Sequence, residues 1–309
     1  MRPASCPGCG RGRCPLQRAR GCASVEGATA IDVAGALPLL DRAVAVTDSM
    51  VATLAHEGRY SPPTVPGDPF AVPAGRIALR IAPDRVVGAI TDDDAPGGPA
   101  DASMVGLVDR RGGALHRTFV TAEPDRMVVR ALGHLSPADP HREILFPSSG
   151  DIGPERAAPA PHADPVDAIL ADEGARRVRG LCALGDQRYC QIPPSRIAQV
   201  LEFLCETGIP VGIAVFASGI AQACSGRIEA VLPEGPRLLT GFHDAAVDID
   251  LARVDNCAVV RTAGDEHAAA IELYDASGAC CALLTQFAGA DRIARLEWDA
   301  AAASLCEAT

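Results

Sequence analysis

Short apolar runs dominate this chain, many alternating with polar positions and most bounded by Gly, Pro or Asp, which is the pattern of half-buried strands. Residues 44–47 and 50–54 read as two strands around an Asp48-Ser49 turn. Residues 76–81 and 85–90 read as two more. The prolines of 61–73 and the acidic Gly/Pro stretch 91–101 mark loops. Residues 103–108 and 114–121 form a hairpin across Asp109-Arg110-Arg111-Gly112, a turn that places glycine at positive φ. Helical spacing is rarer. Residues 36–43 give a short helical stretch broken at Pro38. Residues 166–184 carry Val166, Ile169, Leu170, Val178 and Leu181 at helical spacing, with Gly174 dividing them into two short helices. The clearest helix spans 195–207, with Ser195 as N-cap, Ile197, Val200, Leu201 and Leu204 on one face, and Gly208 as the stop. The chain then returns to β-like runs at 211–216, 220–224, 228–232, 237–242, 246–251, 256–261, 269–274 and 280–287, and Trp298 falls in a final helical run. Strands this close in sequence pair antiparallel, because parallel neighbours need long crossovers.

Two parts of the pattern recur. The run ending in Asp109-x-x-Gly112 is echoed by the run ending in Asp275-x-x-Gly278, 166 residues later (275 − 109). Residues 45–52 are echoed by 214–221, 169 residues later (214 − 45). Two echoes at nearly one offset imply a duplicated domain of roughly 150 residues. The expected fold class is therefore α+β: a tandem duplication, each half a large antiparallel sheet with helices packed on one side. The expected organisation is a Cys/Arg-rich leader (1–30), a first repeat (31–135), a proline-rich linker (136–165) and a second repeat (166–309). A gap between like halves is a natural ligand site.

A net charge of −11 argues against nucleic-acid or anionic-membrane partners, which need a basic face. No apolar run is long enough to cross a bilayer, and Met1-Arg2-Pro3-Ala4-Ser5 lacks the apolar core of a signal peptide, so the expected location is the cytoplasm. The chain contains no lysine, so any carboxylate clamp must use guanidinium forks. Of 12 cysteines, eight sit in apolar stretches as small core residues. The other four, Cys6, Cys9, Cys14 and Cys22, are crowded enough to hold zinc or an iron–sulfur cluster, although the second pair is not a Cys-x-x-Cys. The alternative is an arginine-rich leader with incidental thiols. There is no P-loop, Gly-x-Ser-x-Gly elbow or His-Glu-x-x-His helix, and no Gly-x-Gly-x-x-Gly follows a strand. Asp92-Asp93-Asp94 reads as a solvated loop.

Several stretches carry a resemblance. They are 195–201, 208–216, Gly219-Ile-Ala-Gln-Ala-Cys-Ser-Gly226 with Arg227-Ile-Glu-Ala-Val, Ile271-Glu-Leu-Tyr-Asp-Ala-Ser-Gly278 and, in the first half, Val108-Asp-Arg-Arg-Gly-Gly-Ala-Leu-His116 and Gly58-Arg59-Tyr60. Together they resemble the HemS/ChuS-type hemin-degrading and haem-trafficking proteins over roughly 35–300, as a diffuse pattern with no single diagnostic motif. The resemblance implies a cytoplasmic protein that binds haem b for transfer or degradation in iron acquisition, taking it from a haem importer or passing it to a downstream haem oxygenase. The other readings are a haem-degrading oxygenase proper, with electrons from outside, and a scaffold or regulator that keeps the fold without the cofactor. Haem iron wants an axial nitrogen and the two propionates want arginine. The resemblance implies His162 as the iron ligand, although ungapped alignment puts Asp164 on that position. It implies Arg177 near the haem, Arg85 on a strand facing the distal side, and His56 as a second ligand candidate. His116 matches a family histidine but reads as a hydrogen-bonded core group. Three family contacts are altered: Ala217-Ser218-Gly219 replaces an Asn-Arg-Gly turn, Arg261 stands near a lysine position, and Phe287 replaces a tyrosine, with Arg292 displaced.

Overall fold

The computed structural model describes residues 23–309 except 26–27, 94, 96–97, 111, 135–163, 173–175, 184, 186–187, 262–268, 288–290 and 308–309. The first half contains β1 (Ala23–Ser24), α1 (Ala30–Ala36), β2 (Ala43–Asp48), β3 (Ala52–Tyr60), β4 (Arg76–Ile81), β5 (Gly88–Asp92), β6 (Ser103–Val108), β7 (Ala114–Val120) and α2 (Glu123–Gly133). The second contains α3 (Pro165–Ala171), α4 (Arg176–Cys182), β8 (Tyr189–Gln191), α5 (Arg196–Thr207), β9 (Val211–Ala217), β10 (Ile220–Gly226), β11 (Ala230–Glu234), β12 (Arg237–Gly241), β13 (Ala245–Asp250), β14 (Asn256–Val260), β15 (Ala270–Tyr274), β16 (Cys280–Thr285) and α6 (Arg292–Glu307).

All 16 strands belong to one sheet. The first half runs β1-β5-β6-β7-β2-β3 and the second runs β8-β14-β15-β16-β9-β10, the same chain order position for position. Each run is then extended by a strand of the other half. Strand β4 pairs antiparallel with β10 (Ile81 opposite Ile220), and β13 pairs antiparallel with β3 (Ala245 opposite His56). The two Asp-x-x-Gly hairpins also match. Gly112 and Gly278 have φ of 73° and 79°, and both strand pairs shift register just before the turn, after Leu107 and after Leu273.

Four expectations change. The first helix lies earlier, at Ala30–Ala36, because Thr29 and Asp32 form a capping box, and Pro38 sits in the 3-10 turn Leu37–Leu39 that follows. The strand expected at 85–90 is Gly88–Asp92, which leaves Arg85 in a turn. Pairing also begins inside the segment read as leader, where Ala23 and Ser24 lie opposite Thr91 and Ile90. Finally, helices cover both faces of the second half rather than one. Ile213 and Val215 pack with Leu201, Leu204 and Trp298 of α5 and α6, whereas Ala214 and Phe216 pack with Val166, Ile169 and Leu170 of α3. A strand apolar on both faces needs cover on both. Helix α2 and strand β8 had gone unread, although Glu123-Pro124-Asp125 is an acidic, proline-led first turn.

Helix α3 is seated by a buried cation. Arg80 of β4 has no exposed side-chain surface, and its Nη1 donates to Asp167 Oδ1 at 2.7 Å and to Asp164 Oδ2 at 3.4 Å. Its Nη2 donates to the Asp68 carbonyl, and the guanidinium lies 4.7 Å from the centroid of the Phe70 ring. Asp167 Oδ2 accepts from the Gly67 amide at 2.8 Å. A hydrogen-bonded chain crosses between the halves nearby. Thr47 donates to Gln222 Oε1 at 2.7 Å, so His116 Nδ1, 2.8 Å from the Thr47 hydroxyl, must carry the proton. His116 Nε2 then accepts from Tyr60 at 2.8 Å, and the Tyr60 oxygen, 2.6 Å from Thr118, accepts from it. The imidazole is neutral because burial, and then the nearby Arg117 charge, push its pKa from 6.5 down to about 3.

Two outcomes test these contacts. Arg80→Met strands two carboxylates and costs about 3–5 kcal/mol, as breaking a buried pair does; urea unfolding measures the loss, and hydrogen exchange is expected to rise in α3 before the rest of the sheet. The unfolded chain binds a proton at His116 below pH 6.5 that the folded chain refuses, so stability falls with falling pH. Between pH 6.5 and 5 the slope approaches about 1.4 kcal/mol per unit for this residue, and His116→Gln is expected to flatten it in melting curves taken across that range.

Candidate functional site

Of the sequence-derived candidates, Arg85 and Arg177 meet at the carboxyl end of α3. At its amino end Asp164 is the N-cap, accepting from the Val166 amide at 2.9 Å as well as from Arg80. The position aligned with an iron ligand is thus held by a carboxylate already engaged with protein groups. His162, two residues earlier, lies outside the described residues, as do Cys6, Cys9, Cys14 and Cys22.

At the carboxyl end Arg85 donates through Nη1 to the Asp172 carbonyl at 2.9 Å and through Nη2 to the Ala171 carbonyl at 3.3 Å. A guanidinium suits these final, unpaired carbonyls. Arg85 reaches them over the β9–β10 turn, where Gly219 has φ +83° and an added Cβ would lie 2.5 Å from the Arg85 Cβ. The Ala217-Ser218-Gly219 turn thus carries glycine where this close approach requires it. Asp172 Oδ2 accepts from the Arg177 amide at 3.1 Å. Arg85 and Arg177, read from different halves, therefore meet at Asp172.

The Arg177 guanidinium points into the protein. Its Nε donates to Glu272 Oε2 at 2.8 Å and its Nη2 to Glu272 Oε1 at 2.5 Å, a bidentate fork. Glu272 has no exposed side-chain surface and Arg177 has 12%. Tyr274 donates its hydroxyl to the same carboxylate. Burial opposes the Arg177 charge, but the hydrogen bonds and charge of Glu272 outweigh it and raise the pKa above the ordinary arginine value. Burial, and then Glu272, raise Tyr274 likewise, and the Cys280 thiol is pushed up by burial first and Glu272 second. Neither Glu272 nor Arg80 stood out in the sequence. The available signal was a charge inside an apolar strand, Ile271-Glu272-Leu273 and Leu79-Arg80-Ile81.

Between the two ends, the sheet-facing side of α3 is apolar. Val166, Ile169 and Leu170 rest on Phe216, Ala221, Ala223 and Leu283, with Phe70 and Phe287 edge to face at 5.8 Å. The ring of Phe287 lies against Gly212, where any Cβ would overlap it.

His56 is elsewhere. It shares a face of β3 with Leu54 and Tyr60, and Tyr60 pairs with Ile77 on the face of β4 opposite Arg80. It is 2% exposed. Burial lowers its pKa, and Asp244, 3.5 Å from Nε2, opposes that shift. Arg292 is also distant from α3: it lines a cavity of about 500 Å³ with Thr207, Arg227 and Glu297 on the α5/α6 side. Cys224 and Cys257 are inert core thiols, pushed up to about 12 by burial. Among the described residues no group of three or more His, Cys, Asp or Glu side chains could hold a metal ion.

No family model matches the chain, and no curated relative matches it. Solved structures do. ChuS, an Escherichia coli haem oxygenase, superposes with a TM-score of 0.69 at 15% identity, over 94% of this chain and 90% of that one. Apo-PhuS, a haem-binding protein from Pseudomonas aeruginosa, gives 0.67 at 16% identity over 94% and 89%, and holo-PhuS gives 0.66 at 17% identity over 94% and 88%. At such identities the likeness is one of fold, and it extends over nearly the whole chain: this protein has the α+β fold of the haem proteins ChuS and PhuS.

Proposed function

We propose that this protein binds haem b at α3, between the two halves, and acts in the cytoplasm in haem transfer or degradation for iron acquisition. One observation carries the reading. The Arg85 guanidinium and the Arg177 backbone amide, from different halves, meet at Asp172 at the carboxyl end of a seven-residue helix, and His162 stands two residues before the aspartate that caps its other end. The helix is about 10 Å long, the scale from the centre of a haem to its carboxylate edge. The residue types suit haem, imidazole for iron and arginine for propionates, while the apolar face of α3 already rests on the sheet and a macrocycle would have to displace it. Haem bound here would supply an iron centre open to a further ligand. The chain's own tasks are to orient it, with His162 at the iron and Arg85 and Arg177 at the propionate edge, and to exclude water with Phe70, Phe216 and Phe287.

The matching strand orders, paired bulges and paired turns support a tandem duplication in which 31–135 and 166–309 are the repeats and 136–165 the linker. A haem importer before it and a haem oxygenase after it fit a carrier. Ring opening by this protein itself would need electrons from a separate donor.

One observation favours a second reading, a scaffold without cofactor: Arg85, Arg177 and Asp164 all have protein partners already. Haem titration separates the two. A carrier is expected to give a Soret band with saturable binding, weakened by about tenfold or more in His162→Ala, while His56→Leu keeps the band. No Soret change in the wild-type protein rejects the haem reading, and a biliverdin-like product formed with reductant would assign degradation rather than transport.

A further inference from the structure

The Arg177–Glu272 pair has the chemistry of an internal stand-in for a ligand carboxylate. The arginine is held bidentately, as a propionate would hold it, by a side chain with no exposed surface. The carboxylate lies on β15, on the side of the sheet that α3 and α4 cover, since Ala270 and Tyr274 of that face pack with α3 and α4 respectively. Tyr274 fixes one of its oxygens. Arg177 keeps 12% of its side chain exposed, whereas Glu272 keeps none. With no lysine in the chain, no other kind of fixed cation can substitute for it.

We propose that Glu272 is a built-in competitor that tunes carboxylate affinity at this site. It occupies the Arg177 fork in the empty protein, and an incoming anionic carboxylate must share or displace it against like-charge repulsion. This rests on the haem reading above and deepens it: Glu272 makes the protein a weak, releasing binder of the dianionic macrocycle. The physical argument is one of exchange. A buried arginine left without its partner is strongly disfavoured, so the empty protein needs Glu272 for stability. The same carboxylate lowers the gain from a second anion, because the strongest hydrogen bonds of the fork are already made.

The test compares ferric protoporphyrin IX with its dimethyl ester, which lacks both negative charges, in wild type, Glu272→Gln and the Glu272→Gln/Arg177→Met double variant. Glutamine keeps the shape and an acceptor oxygen but removes the charge. The expected result is binding of the free acid about tenfold tighter in Glu272→Gln, equal binding of the ester in both proteins, and loss of the gain in the double variant. The empty Glu272→Gln protein is expected to melt earlier than wild type, with the free acid, not the ester, restoring more of the difference. Equal or weaker binding of the free acid by a folded Glu272→Gln protein overturns the proposal while the haem reading stands; so does an equal gain for the ester. No Soret change with either protein overturns both. If Glu272→Gln does not fold, Glu272→Asp serves: withdrawing the charge by one methylene must tighten free-acid binding by about two- to threefold, and unchanged affinity there also rejects the idea.

Discussion

Strand β4 hydrogen-bonds to β10 and strand β13 to β3, so each half of the sheet is completed by the other. This exchange places Arg80, on β4, beneath α3, a helix of the second half. It also puts Arg85, a few residues further along, beside the β9–β10 turn at Gly219, and so within reach of the last carbonyls of α3. A backbone amide continues the link, because Ala82 donates to the Gly219 carbonyl at 2.8 Å. The helix that carries the candidate site is thus positioned by guanidiniums from a different part of the sequence. A separated second half would keep α3 but lose the cation under one end and the cap on the other.

The exchange also explains why polar groups are tolerated in the middle of the molecule. Thr47, His116, Tyr60, Thr118 and Gln222 are all buried, and each finds a partner in the chain that links the halves. A satisfied network adds little to stability over an apolar core but is selective in what it accepts. A slip of β10 against β4 would part Gln222 from Thr47, leaving the Thr47 hydroxyl proton without its acceptor. Apolar contacts such as Ile220 with Leu79 and Ile81 give the seam its strength, and the hydrogen bonds give it one register.

Much of this was legible in the sequence. The repeated Asp-x-x-Gly turns announced two equivalent hairpins, and the 195–207 periodicity with Gly208 announced α5, whose glycine does sit at φ +69°. Strand existence was easier to read than strand ends, because alternation persists through residues that leave the ladder: Arg85 continues an apolar run but belongs to a turn. What no local pattern could reveal was which strands pair across the halves, since pairing partners more than 100 residues apart leave no periodic trace. For that reason Arg85 and Arg177 were found as separate hints, and their meeting at Asp172 was not foreseen. Arg80 and Glu272 were missed for the same reason. A charge inside an apolar strand becomes meaningful only when its partner is known, and both partners lie far away in sequence, 87 and 95 residues respectively.

The arginine-only chemistry of the chain gives these pairs their character. A lysine under α3 would be a single point charge able to shift its pKa and lose its proton in so dry a place. A guanidinium stays charged, and its planar fork can serve Asp167, Asp164, the Asp68 carbonyl and the Phe70 ring together. The same property makes Arg177 demanding. It cannot be neutralised when buried, so it always requires an anion, and the fold provides one in Glu272. A binding site built from permanently charged groups is therefore never empty in the electrostatic sense. Under the proposed reading, what would distinguish the free and loaded states is which carboxylate faces the arginine, and the affinity for a ligand would be set by the difference between the two.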